Sequence, residues 1–285
     1  YFKKNKPEIA TLPHIISFFI SANAQMIVKI LSQDKEIKGN LSALTEAIEQ
    51  GADKQIAGVL GTLKNAIGIF NNPHIFWILS KNEANLDVNS PNEPTMLLIG
   101  NDSKLPDTYA PIISLIITIA SKLMNEPNKL KSAIVIDEVP TIYLPNFEHI
   151  PATARSNKVS VIVGAQDISQ MVDKYGQDKA NVLISNLGNQ FFGRTTNKET
   201  AERVVQMFGQ REDIEIMQGS SGSGIAGALG MHTNKSKSQT IVKRDRVKIQ
   251  QVVNFRPGEF VGLIAEGNKK EIYTQLKQGE DEEMN

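Results

Sequence analysis

The sequence predicts an α/β protein, a mostly parallel sheet flanked by helices behind an N-terminal all-helical segment. Three observations support this. Short apolar runs at 95–100, 133–136, 159–163, 190–192 and 260–265 alternate with helical stretches, and strands that alternate with helices build parallel sheets covered on both faces. Before residue 95 the apolar residues recur only at helical spacing. The composition, 285 residues with 40% apolar and 22% charged, supplies a packed core for one large domain or two ordinary ones.

In the first segment Ile15, Ile16, Phe19 and Ile20, then Met26, Ile27, Ile30 and Leu31, fall at three-to-four spacing. Leu41, Leu44 and Ile48 continue it with Ser42 as a cap, and Ile56, Val59, Leu60, Leu63, Ile67 and Phe70 form a further stripe. The Pro-bounded stretch 90–94 reads as a boundary, which gives an all-α domain at 1–90 and an α/β domain at 91–285. In the second, strands are expected at 95–100, 133–136, 159–163, 190–192 and 260–265. Helices are expected at 109–124, 147–157, 167–172, 178–184 and 198–208. The Ser/Gly/Ala-rich stretch predicts a flexible loop over 219–238, residues 242–253 alternate weakly, and an acidic tail closes the chain at 279–285.

Several classes of chemistry are excluded. Lys+Arg and Asp+Glu are both 31, so no global basic field exists for nucleic acid. Without Cys there are no disulfides, thiolate zinc sites or cysteine nucleophiles. The four histidines, His14, His74, His149 and His232, lack metal spacing. No apolar run approaches the roughly 18 residues of a spanning helix. A G-x-G-x-x-G match at Gly222, Gly224 and Gly227 lacks the preceding strand that a dinucleotide site requires.

One local pattern points toward nucleotide chemistry. Ala133-Ile134-Val135-Ile136-Asp137-Glu138 has the form of a Walker B strand. Such a strand ends rigidly at the carboxyl edge of a sheet, where ligands bind. The first acid then faces the magnesium water shell and the second polarises the attacking water. Val159–Val163 is a second apolar run leading to Gly164-Ala165-Gln166, and in RecA-like ATPases the neighbouring strand ends in a polar sensor of the γ-phosphate. Arg155 lies between the two runs, and Arg194 follows Phe191–Gly193; a guanidinium is the fork an arginine finger needs. Each match alone is also compatible with a strand ending in a polar turn or a surface arginine. No Gly is followed by Lys anywhere, so the Walker A loop G-x-x-x-x-G-K-[ST] is absent.

The stretch 133–208 resembles the TraG/TraD-type coupling proteins of conjugation and type IV secretion. The likeness is a series in order: Ile136-Asp137-Glu138, Leu144-Pro145, Ala154-Arg155-Ser156-Asn157, Val161-Ile162-Val163-Gly164-Ala165-Gln166-Asp167, Tyr175-Gly176, Ile184-Ser185-Asn186, Phe191-Phe192-Gly193-Arg194 and Thr200-Ala201-Glu202. Gly258-Glu259-Phe260-Val261 resembles the family's last core strand, and the wording of 189–194 is most similar to coupling proteins of Bacteroides-type mobile elements. The resemblance implies a RecA-like P-loop NTPase core with an all-α domain inserted between Walker A and Walker B. Walker A and the membrane anchor are then expected before Tyr1, and the chain is expected to be a fragment. It implies ATP and Mg2+ as cofactors, with Asp137 the magnesium-side acid, Glu138 the catalytic glutamate, Gln166 the γ-phosphate sensor and Arg155 a finger toward a neighbouring subunit. Further implied are a homo-hexamer at the cytoplasmic face of the bacterial inner membrane, a relaxase or relaxosome cargo, single-stranded DNA, and the ATPases and inner-membrane proteins of a type IV secretion channel.

Two other readings use the same residues. The chain is a segment of a HerA/FtsK-like translocase, or a non-enzymatic module that docks a relaxase. The basic run Lys235, Lys237, Lys243, Arg244, Arg246 and Lys248 suits DNA phosphates, but without interleaved aromatics for base stacking it equally suits a solvated charged face.

Overall fold

The computed structural model describes residues 1–81, 83–102, 104–220 and 235–276. The chain divides into two compact units, Tyr1–Leu123 and Met124–Asn285. The Pro-rich stretch at 90–94 falls inside the first.

The first unit is helical: α1 Phe2–Asn5, α2 Leu12–Ser21, α3 Ala24–Leu31, α4 Lys35–Lys38, α5 Ser42–Glu49, α6 Asp53–Gly68, α7 Pro73–Leu79 and α8 Pro106–Met124. Local chemistry sets several starts. Asn23 accepts from the Met26 N–H (2.8 Å), Asp34 from Glu36 (2.9 Å) and Asn72 from His74 (2.8 Å), each satisfying an otherwise orphaned helix donor. Pro13 and Pro73 occupy first-turn positions, where a missing N–H costs nothing. Of the predicted stripes Ile16, Ile27 and Ile56 are buried, joined by Ala24 and Ile75, whereas Met26, Val59 and Leu63 are exposed, so the periodicity marks more apolar positions than these helices bury.

The strand expected at 95–100 does not form. Met96 and Leu98 are 83% and 79% exposed. The described backbone contact there is Thr95 N–H to the Val88 carbonyl, 2.9 Å. A short apolar run is ambiguous without a partner strand to take its backbone groups.

The second unit contains β1 Ser132–Ile136, α9 Ile150–Ala154, β2 Val159–Val163, α10 Ile168–Tyr175, α11 Gln177–Asn186, β3 Gln190–Phe192, α12 Lys198–Phe208, β4 Gln210–Ser220, β5 Lys235–Asp245, α13 Ile249–Val253, β6 Glu259–Leu263 and β7 Glu271–Gln275. It is α/β, as the alternation predicts. β1 and β2 pair in parallel, from Ser132↔Val159 to Ile136↔Val163, with α9 in the crossover between them. β3 pairs antiparallel with β6, and β6 with β7. A core of Ala201, Val204, Phe208, Val247, Val252 and Val261 joins α12, α13 and β6, and Ala201, Val204 and Phe208 are the helical stripe of α12. β6 and β3 approach so closely at Gly262 that a Cβ there would stand 2.7 Å from the Phe191 ring and 2.9 Å from the Gln190 carbonyl.

The loop expected over 219–238 is shorter than that. β4 and β5 form an antiparallel ribbon running from Gln210↔Asp245 out to Ser220↔Lys235. Residues 221–234 and the tail at 277–285 lie outside the described residues. The weakly alternating 242–253 divides into the end of β5 and the helix α13. Charged residues stand on both faces of the ribbon, Arg211, Asp213, Glu215 and Arg244 on one and Glu212 and Lys243 on the other, and hide its period of two from a hydrophobicity reading.

Candidate functional site

The parallel register brings two chain segments to one sheet edge. Ile136 pairs with Val163, so Asp137 and Glu138 leave β1 beside Gly164, with Gln166 two residues on. Gly164 N–H donates to the Ile136 carbonyl (2.8 Å), and Val139 N–H donates to the Gly164 carbonyl (2.9 Å), which extends the ladder past both strands. A Cβ at Gly164 would stand 2.9 Å from Asp137 Oδ1, so the Asp137 carboxylate lies across the glycine. Asp137 and Gln166 are exposed and Glu138 is half-buried.

Glu138 has φ 53° and ψ 53°. A left-handed backbone at a non-glycine residue costs about 1–2 kcal/mol, and such strain concentrates at sites of function. Thr141 Oγ1 donates to the Glu138 carbonyl at 2.8 Å, inside the short 3-10 turn Val139–Thr141 that holds this conformation. No group of three or more His, Cys, Asp or Glu that would hold a metal occurs among the described residues. Two adjacent carboxylates suit Mg2+, which keeps most of its waters and takes further ligands from substrate phosphates.

Behind Gln166 lies a polar network that a motif search does not reveal. Asp167 Oδ1 accepts from the hydroxyls of Thr195 (2.9 Å) and Thr200 (3.2 Å), both buried. Asn197 caps α12 by accepting from Thr200 N–H (3.1 Å) and donates to Ser169 Oγ (3.0 Å). These contacts fasten the Gln166 turn to α12. The one sequence signal is Asp at the cap position of α10 and Asn at that of α12. The loop after Glu138 is fastened similarly: the buried Tyr175 hydroxyl donates to the Ile142 carbonyl (3.0 Å) and accepts from Leu144 N–H (3.3 Å). Burial pushes that hydroxyl up to about 12.

Arg155 is not part of this edge. It follows α9 and precedes β2, so it lies beyond the opposite, amino-terminal end of a strand about 13 Å long. There it donates to Glu266 at 2.6 Å, beside an open groove of about 500 Å³ lined by Ser132, Lys158, Ser160 and Asn189 among others. Arg194 is exposed. In the basic run, Arg244 pairs with Glu215 and lies 4.0 Å from Asp213, and Arg246 pairs with Glu271 at 2.5 Å. Lys243 and Lys248 are exposed, Lys243 opposite Glu212 in the ribbon. Lys235 and Lys237 lie on β5.

Residues 132–256 match the family described as the TraM recognition site of TraD and TraG. The chain is 26% identical over 151 residues to the coupling protein TraD of Escherichia coli (strain K12), covering 51% of this chain and 21% of that protein. Among solved structures it is similar to the unbound bacterial conjugative coupling protein TrwB (TM-score 0.60, 17% identity, 80% of this chain and 50% of that one). It is also similar to TrwB in complex with a non-hydrolysable ATP analogue (TM-score 0.60, 16%, 79% and 50%) and with ADP and Mg2+ (TM-score 0.59, 16%, 81% and 50%). The chain therefore shares the fold of TrwB, a RecA-like sheet flanked by helices, with an N-terminal helical region. Over residues 132–256 and the stretch shared with TraD, the chain is similar to the conjugative coupling proteins of the TraG/TraD type. It spans half the length of these solved structures and about a fifth of the curated relative. No described helix is long and apolar enough to cross a membrane.

Proposed function

We propose that this chain is the Walker B half of a conjugative coupling ATPase, and that the whole protein draws a relaxase-bound single DNA strand toward a type IV secretion channel. The observation that supports this most is the shared edge of β1 and β2. The Asp137 carboxylate is packed over Gly164, Glu138 is held in a left-handed conformation, and Gln166 follows on the adjacent strand. In this reading Asp137 holds the water shell of Mg2+, Glu138 orients and deprotonates the attacking water, and Gln166 contacts the γ-phosphate. Phosphoryl transfer is chiefly positioning and charge stabilisation, and a strained, fastened edge supplies both.

Arg155, at the far end of β2, is out of reach of its own chain's Asp137. Its role is toward the nucleotide of a neighbouring subunit in a hexameric ring at the cytoplasmic face of the inner membrane. The family description names TraM recognition for TraD and TraG, and a relaxosome protein is the corresponding partner here. With no Gly-Lys pair in the chain, the β- and γ-phosphates have no cradle within it, and the isolated chain is expected to turn over no ATP.

The test is hydrolysis by the longer protein carrying a Walker A loop, measured with and without single-stranded DNA. Turnover that DNA stimulates and Glu138→Gln abolishes supports the motor. Turnover indifferent to Glu138→Gln removes the acid pair from the chemistry and favours a docking role.

A further inference from the structure

The β4–β5 ribbon is a sheet of its own: no third strand pairs with it among the described residues. Two-stranded ribbons are marginal in water unless a face is covered. The register sorts the side chains onto two faces. On one, Arg244 pairs with Glu215 and lies 4.0 Å from Asp213, and Arg211 reaches Asp213 at 3.2 Å, so that face is neutralised by its own ion pairs. The other is apolar at its middle. Ile214, Ile216 and Ile241 are 64%, 57% and 65% exposed, with Ile214 directly opposite Ile241. Toward the start of the ribbon Glu212 stands opposite Lys243 and Gln210 opposite Asp245, all four exposed. Three isoleucines together on an open ribbon are a surface that proteins otherwise cover or blunt with charge.

The order of these pairs selects the occupant. A second copy of the face, laid on the first about a two-fold axis that runs along the ribbon between its strands, sets each β4 residue over the other copy's counterpart of its own β5 partner. Ile214 then meets the other copy's Ile241, Glu212 meets its Lys243, Gln210 meets its Asp245, and Ile216 meets the uncharged Gln239, each pair occurring twice. No like charges face each other. Stacked sheets lie about 10 Å apart with their strands within about 30°, close enough for isoleucines to interdigitate and for Glu and Lys to reach across. A uniformly acidic or basic partner would suit only one of Glu212 and Lys243, whereas the face is complementary to itself.

We propose that the apolar face of the β4–β5 ribbon is a two-fold dimerisation surface, on which two copies of this chain stack ribbon on ribbon. A two-fold contact closes on itself. It is therefore distinct from the head-to-tail contact of a ring, and it stands whether or not Glu138 serves ATP hydrolysis.

The test is sedimentation equilibrium of this chain at concentrations up to about 100 μM, since so small a contact is expected to hold in the micromolar range. Expected is a monomer–dimer equilibrium. Ile241→Thr, which keeps the β-branch and removes apolar surface, should weaken it at least about tenfold. Glu212→Lys and Lys243→Glu each set like charges across the contact and should each weaken it by a similar factor. Mixed in equal amounts, the two charge variants should regain the dimer, because every pair between copies is then opposite in sign while the like charges within each ribbon remain. That readout separates a contact between copies from pairing within one ribbon. Circular dichroism checks that each variant keeps the wild-type spectrum, and both charge changes in one chain should dimerise as wild type does. A chain that stays monomeric, or a dimer indifferent to Ile241→Thr, overturns the surface. Charge variants that remain apart when mixed overturn the two-fold register. A longer protein whose self-association ignores both charge variants, and whose Ile241→Thr variant is less stable, covers the face with its own chain and overturns the proposal.

Discussion

Arg155 Nη2 and Glu266 Oε1, 111 residues apart in the chain, meet at 2.6 Å with both side chains about 80% exposed. A pair so wet contributes at most about 1 kcal/mol, so it is a resting contact that a stronger anion displaces. Arg155→Ala and Glu266→Gln are each expected to shift unfolding free energy by less than about 1 kcal/mol. If Arg155 serves the nucleotide of a neighbouring subunit, as proposed, the two should diverge in the longer protein: Arg155→Ala removes turnover, and Glu266→Gln leaves it or raises it. Equal loss in both variants, read by steady-state hydrolysis, rejects a finger held in reserve.

Gly164 is the second lever on the site. An added Cβ meets Asp137 Oδ1 at 2.9 Å, and the side chain, being the movable partner, is the one to yield. Gly164→Ala is therefore expected to keep the fold, with a stability loss of about 1 kcal/mol, and to displace the Asp137 carboxylate proposed to face Mg2+. Hydrolysis by the longer protein should fall at least about tenfold, with partial recovery at raised Mg2+. Unchanged turnover would show that Asp137 has no set position to lose.

Glu138 separates stability from activity. Its φ of 53° suits glycine, so Glu138→Gly relieves about 1 kcal/mol of strain, whereas Glu138→Gln leaves the backbone as it is. Chemical denaturation of this chain should rank Glu138→Gly above wild type and Glu138→Gln level with it, and neither variant of the longer protein should hydrolyse ATP. A destabilised Glu138→Gly would mean that the side chain, not the backbone, holds the turn.

Asp167 accepts two hydroxyls from buried threonines. Asp167→Ala orphans both and is expected to cost about 2–3 kcal/mol. Asp167→Asn keeps one acceptor oxygen and should recover much of that. Equal midpoints for the two variants in a urea titration would remove the network's role in fastening the Gln166 turn.

The half of the site on β1 was readable because its signals are local. Four apolar residues followed by two acids announce a strand and its edge within six positions, though Val135 of that strand and Ile162 of the next are exposed rather than buried, and Val159 to Gln166 repeat the grammar with an amide. What escaped depends on distant partners. Glu266 meets Arg155, and Thr195 and Thr200 meet Asp167, only once the chain has folded; no spacing rule links them. The run 95–100 looks like a strand until no partner takes its backbone. The β4–β5 ribbon and β7 carry charges where a hydrophobic alternation would have marked them, since ribbons with exposed faces need little apolar patterning.

The loop after Glu138 predicts an alkaline limit to stability. Tyr175 donates to the Ile142 carbonyl and accepts from the Leu144 N–H, and burial raises its hydroxyl from 10.0 to about 12. Below pH 10 the phenol is protonated in both folded and unfolded chains, and its contribution to stability is fully present. Between pH 10 and about 12 the unfolded chain loses its proton first, so it binds fewer protons than the native state and stability falls with rising pH. Tyr175→Phe should be less stable near neutral pH by about 1–2 kcal/mol, because two backbone groups lose their partner. It should also lack this part of the alkaline slope. The check is the urea midpoint of both proteins from pH 8 to 11.5, where the gap between them should narrow as pH rises. A constant gap would mean that Tyr175 ionises alike in both states, and that the hydroxyl does not pin the loop that follows Glu138.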